Sequence, residues 1–109
     1  MARFVKGDVV VVPFPFSDLT RAKRRPALVL AALEGDDVIL CQITSQLKSD
    51  KYAIVLEEND FKEGTLKKVS NIRPNRLFTA DARIILYRAG RVRDEKMKEV
   101  ISKIVEMIS

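Results

Sequence analysis

Histidine is absent from the 109-residue chain. That excludes Ser-His and Cys-His nucleophile systems, imidazole acid–base pairs and His-based zinc sites. The one cysteine, Cys41, cannot close an internal disulfide or build a thiolate cage, which fits a reducing, cytoplasmic setting. Tryptophan is also missing, and two Tyr with five Phe leave little surface for stacking nucleic-acid bases. No apolar run approaches about 18 residues, so a membrane span is not expected. The N-terminus, Met1 to Lys6, is basic but runs into Gly7-Asp8 rather than an apolar signal-peptide core. There is no Gly-rich phosphate loop and no carboxylate cluster suited to Mg²⁺. No metal or cofactor is therefore expected, and any catalysis falls to Arg, Lys, Ser, Thr, Tyr or isolated carboxylates.

What is present describes one small domain spanning residues 1–109. Hydrophobic residues make up 47% of the chain, enough for a globular core at this length. Twenty basic against fifteen acidic residues give a net charge of +5 and favour an anionic partner, nucleic acid foremost.

Most of the chain reads as short strands. Val9-Val10-Val11-Val12 is a continuous β-branched run, the pattern of a strand buried on both faces. In Pro13-Phe14-Pro15-Phe16 the prolines exclude helix and a central ladder position. The polar, basic stretch from Ser17 to Arg25 reads as an exposed loop. Two apolar runs, Pro26 to Leu33 and Val38 to Ile43, flank Glu34-Gly35-Asp36-Asp37 as a β-hairpin. Tyr52 to Leu56, Val69 to Ile72 and Ile84 to Tyr87 are further strand candidates. Asn59 to Gly64 reads as one capped helical turn closed by Gly64.

The one strong helix is predicted over Asp94 to Met107. Met97, Val100, Ile101, Ile104, Val105 and Ile108 form its apolar stripe, and Glu99 and Lys103 an i, i+4 pair. Many short strands with one terminal helix predict a small, strongly bent sheet or barrel.

Three polar clusters could carry chemistry. Arg21-Ala22-Lys23-Arg24-Arg25 can hold phosphates, and Arg25 is fixed by its neighbour Pro26. Thr44-Ser45-Gln46 places hydroxyls at a strand end, as oxyanion donors or simply as an ST-turn. Ser70-Asn71-Ile72-Arg73-Pro74-Asn75-Arg76 offers two more guanidinium forks.

In this order the segments resemble the MazF/PemK family of toxins from type II toxin–antitoxin pairs. The resemblance runs from Gly7-Asp8-Val9-Val10-Val11-Val12 through Arg24-Arg25-Pro26-Ala27-Leu28-Val29-Leu30 to Ile43-Thr44-Ser45-Gln46. It continues through Phe61 and Gly64, Val69-Ser70-Asn71-Ile72-Arg73 and Leu77-Phe78-Thr79 to the helix, covering Gly7 to Glu106.

The resemblance implies an SH3-like barrel related to the CcdB gyrase poison, acting as a cytoplasmic homodimer. It implies a sequence-specific endoribonuclease for single-stranded RNA, restrained by an acidic antitoxin through which alone it meets DNA. On the family pattern Arg25 and Thr44 are the catalytic pair, with Arg73 beside them. Arg21, Lys23, Arg24, Ser45, Gln46, Asn75 and Arg76 then form the RNA-binding surface.

One position departs from that pattern. PemK-type members carry an Asp, assigned as general base, where this chain has Asn75. Asp18 and Asp81 are the carboxylates near the motifs, and nothing in the sequence chooses between them. Two other readings are a non-catalytic toxin of this fold that binds a protein target such as gyrase, and a basic RNA-binding module with a decayed site.

Overall fold

A computed structural model describes residues 4–15, 22–46 and 49–109. The Val9 to Val12 run lies in strand β1 (Asp8–Pro15), whose neighbours are β2 (Ala22–Ala32) on one side and β7 (Tyr87–Val92) on the other. Between them come β3 (Asp37–Thr44), β4 (Ile54–Leu56), β5 (Phe61–Gly64) and β6 (Ser70–Asp81). The strands form one curled seven-stranded sheet in the order β4-β6-β3-β2-β1-β7-β5, every pairing antiparallel.

Both faces of the sheet are buried, which explains the unbroken apolar runs. On one face Val9, Leu28, Cys41, Ile43 and Ile72 meet Met97 and Val100 of the helix α1 (Asp94–Ile108). On the other, Val10, Val12, Ala27, Val29, Val38 and Leu40 are covered by Phe4, Phe14, Phe78 and Ile85. Phe14 and Phe78 close that face edge to face, ring centres 4.9 Å apart. This is the expected mainly β architecture with a C-terminal helix packed on it.

Four local readings are corrected. The Lys23-Arg24-Arg25 cluster belongs to β2, not to a loop, and opposes Phe14, Pro13 and Val12 of β1. The prolines permit this pairing. The Val11 carbonyl accepts from the Leu86 amide on the β7 side, so Pro13 and Pro15, of the same parity, turn their missing N–H groups to that side. The β1–β7 ladder ends at Val11, so no bond is lost.

The predicted turn from Asn59 to Gly64 is a short 3-10 turn (Glu58–Asp60) running into β5. Gly64 does not cap it. Its φ of +63° and the absence of a Cβ let β5 come close alongside Gly90, its partner in the β7 ladder. Ile84 to Tyr87 is not a strand either: Ala82–Ile84 forms a 3-10 turn and β7 begins at Tyr87. Finally, Glu99 pairs with Lys96 (3.1 Å) and Lys103 with Glu106 (3.7 Å), rather than with each other.

The helix stripe is graded along its length. Val100 is fully buried, Ile101 and Ile104 are half-buried, and Ile108 is 75% exposed. Val100→Asp should therefore cost about 3 kcal/mol or more, by burying an unpaired charge. Ile108→Asp should change stability by no more than about 0.5 kcal/mol. Urea melts of the two variants check the grading.

Candidate active site

The site begins with a proline in a strand. Within β2, Val29 faces β1, because its carbonyl accepts from the Gly7 amide at 2.9 Å. Ala27 and Arg25 share that parity. Pro26 therefore turns its missing N–H toward β3, where it cannot extend the ladder. The β2–β3 pairing accordingly ends at Ala27 opposite Gln42, while β3 continues to Thr44 against Asn71 of β6.

The two strands part beyond that point, and a cleft of about 300 Å³ opens there. Its walls are Arg24-Arg25-Pro26, Ile43-Thr44-Ser45 and, from across the site, Leu66-Lys67-Lys68 with Ser70. Four cations line it and, among the described residues, no carboxylate does. Such a cleft concentrates positive potential where water is partly excluded, and suits a polyanion.

The side chains are held in different ways. Arg25 is half-buried, with its Nε withdrawn from solvent. Thr44 is only 6% exposed. Its hydroxyl accepts from the Gln46 amide at 3.1 Å and donates to the Gln46 carbonyl at 2.9 Å, the ST-turn that ends β3. Ser45 and Gln46 stay exposed beyond it. Buried Ser70 donates to the Lys68 carbonyl at 3.0 Å and so ties the Lys67-Lys68 loop to β6.

Arg73 does not line the cleft. It opposes Gln42, two residues from the Thr44–Asn71 pair, which makes it a diagonal cross-strand neighbour of Thr44 at about 7–8 Å. Its Nε donates to Asp50 Oδ2 at 3.0 Å. Arg73 is followed by a bulge, because Gln42 opposes Arg73 while the adjacent Cys41 opposes Leu77. Pro74, Asn75 and Arg76 are left without partners on β3, and Asn75 and Arg76 are exposed. Lys23 and Arg24 are exposed on β2, whereas Arg21 and Asp18 lie outside the described residues.

Asp81 stands at the opposite end of β6, against Asp37, and is bound by Arg83 at 2.7 Å. The Arg83 side-chain hydrogen bond, aided by its backbone amide, lowers that carboxyl to about 2. Cys41 is excluded as a nucleophile, since burial pushes its thiol up to about 12.

Sequence reasoning missed Lys67 and Lys68, whose only signal was a basic doublet, and Asp50, which gave none. Burial opposes ionisation of Asp50, but the Tyr52 amide, the Arg73 guanidinium and the Asn75 side chain outweigh it and lower its pKa. A depressed folded value stabilises the fold above the ordinary value near about 3.9, and that contribution is lost as pH falls through the folded value. The Tyr52 amide, which donates to Asp50 Oδ1 at 2.9 Å, should report it. Its NMR shift should titrate with a midpoint below about 3.9, and a midpoint at or above that value would contradict the arrangement.

Three comparisons bear on this geometry. The family model described as PemK-like, MazF-like toxin of type II toxin-antitoxin system matches residues 5–108. MazF from Deinococcus radiodurans superposes with a TM-score of 0.77 at 19% identity, covering 99% of this chain and 98% of that one. MazE-MazF from the same organism gives 0.76 at 20% identity, with 96% and 95% covered. An endoribonuclease from Mycobacterial species, in complex with its cognate antitoxin, gives 0.75 at 11% identity, with 95% and 93% covered. No curated protein matches the chain by sequence.

Proposed function

The chain belongs to the PemK-like, MazF-like toxins of type II toxin–antitoxin systems, and on that premise we propose that it cleaves single-stranded RNA in the cleft opened at Pro26. The observation that carries the reading is the lining itself: Arg24, Arg25, Lys67 and Lys68 around the hydroxyls of Thr44 and Ser45, with no carboxylate among the described residues. That lining suits phosphodiesters: the cations meet the charge that builds on phosphorus, and Thr44, whose hydroxyl proton goes to the Gln46 carbonyl in the free protein, turns it to the phosphate when RNA binds.

The chemistry follows from what the chain has to offer. It has no histidine, its cysteine is a buried thiol, and among the described residues no acidic cluster faces the cleft. The attacking group is then the RNA's own 2′-hydroxyl, held beside phosphorus at high effective concentration. Its proton passes to solvent as its oxygen bonds to phosphorus, the bond to the 5′-oxygen breaks, that oxygen takes up a proton, and the products are a 2′,3′-cyclic phosphate and a 5′-hydroxyl. Arg25 and Thr44 stabilise the phosphorane, Arg73 acts from the neighbouring strand, and a guanidinium supplies the proton to the leaving oxygen. Lys23, Arg24, Ser45, Gln46, Asn75 and Arg76 extend the RNA contact.

The protein works as a cytoplasmic homodimer. Ile84, Leu86 and Tyr87, exposed in the segment that leads into β7, support association. An acidic antitoxin, the route by which the toxin meets DNA, neutralises the basic cleft.

Cleavage should persist in excess EDTA. Arg25→Ala and Thr44→Ala should each lose roughly two orders of magnitude in rate, the cost of removing an oxyanion donor. A strand with deoxyribose only on the 5′ side of the scissile bond should not be cut, and its cleavage at the same site would rule out the mechanism. A toxin that acts on a protein target instead would cut none of these strands.

Antitoxin affinity should fall steeply with added salt. Calorimetry between about 50 and 500 mM salt measures this, and tight binding indifferent to salt would exclude the cleft as the contact.

A further inference from the structure

Position 75 leaves the proposed site with a neutral amide, yet a carboxylate stands next to it. Asp50 comes from the turn between β3 and β4, more than twenty residues earlier in sequence. Its side chain is 5% exposed, and it meets Arg73 Nε at 3.0 Å.

The turn is built to hold it. Asp50 Oδ1 accepts from the Tyr52 amide at 2.9 Å, and the Asp50 carbonyl accepts from the Ala53 amide at 3.2 Å. On the far side, the bulge of Pro74, Asn75 and Arg76 brings the Asn75 side chain near enough to the same carboxylate to help lower its pKa. One buried anion thus joins the β3–β4 turn, the β6 bulge and the guanidinium of Arg73, the diagonal neighbour of Thr44 across the β3–β6 ladder.

We propose that Asp50 is the positioning residue for Arg73: with Asn75 it clamps the Nε edge of the guanidinium, so that the Nη edge is presented to the RNA phosphate next to Thr44. The inference rests on the reading of the site as an RNA-cleaving one. Only Nε is engaged by Asp50, and no hydrogen bond among the described residues takes Nη1 or Nη2. A planar guanidinium held along one edge is oriented in a way a lysine could not be. The pair also divides between the β3–β4 turn and the β6 bulge what an aspartate at position 75 would supply from one place. The charge sits at Asp50, and the amide at position 75 lies beside it.

The arrangement predicts a swap. Asp50→Asn should lower kcat about ten- to a hundredfold, as loss of orientation at a reacting centre does, and leave KM within about threefold. Adding Asn75→Asp to that variant should restore at least about tenfold, because it returns a carboxylate to the amide–carboxylate pair. On an Arg73→Gln background, Asp50→Asn should cost no further activity. Thermal melts of each variant separate orientation from folding.

A swap that restores nothing, or an Asp50→Asn loss that persists undiminished with Arg73→Gln, would overturn the proposal. The orientation has a readout that needs no activity. In the wild-type protein the Arg73 Nε–H should give a resolved, slowly exchanging NMR signal, and inorganic phosphate should shift the Nη protons more than Nε–H. If RNA is not cut but this pattern is seen, the cleavage reading fails and the clamp stands. An averaged, rapidly exchanging Arg73 signal overturns the clamp whatever the RNA result.

Discussion

A missing N–H at Pro26 is the constraint from which the site follows. A strand can accept a proline only where the lost donor has no partner, and Pro26 directs that loss toward β3. The ladder stops one residue later, at Ala27 opposite Gln42, and a gap follows that a regular sheet would have closed. Everything polar in the site is arranged around this gap. Arg25 precedes the proline on one wall, Thr44 ends the strand on the other, and the Lys67-Lys68 loop lies across them.

The surrounding sheet makes the gap affordable. Both faces of β1, β2 and β3 are packed, one against α1 and the other against Phe14, Phe78 and Ile85. Parting the strands at one end leaves both core clusters intact. The Thr44–Gln46 turn and the Ser70–Lys68 hydrogen bond satisfy polar groups that the parted strands would otherwise leave bare. Rigidity and openness therefore occupy adjacent parts of the same strands, as a preorganised binding site requires.

Much of this was legible in the sequence because it is local. The Val9 to Val12 run, the hairpin around Gly35 and the helix stripe each carry their periodicity within a few residues. Resemblance singled out Arg25 and Thr44, each within a short motif, and both line the cleft. What escaped the sequence depends on parity or on distant approach. The pairing of Pro13 and Pro15 in β1 turns on which side β7 vacates, and Gly64 serves a close ladder pairing with Gly90. Asp50 meets Arg73 only because the fold brings the β3–β4 turn against β6. No window of sequence contains those partners together.

The account stands or falls on where RNA lies. The most direct test is an NMR titration of the protein with an oligonucleotide carrying a deoxyribose at the scissile position, so that it binds without being cut. The account predicts that the largest amide shifts fall on Arg24, Arg25, Thr44, Ser45, Lys67 and Lys68, with smaller ones around Arg73. Shifts concentrated instead on α1 or on the Ile84 to Tyr87 segment, with the Pro26 gap unaffected, would contradict it.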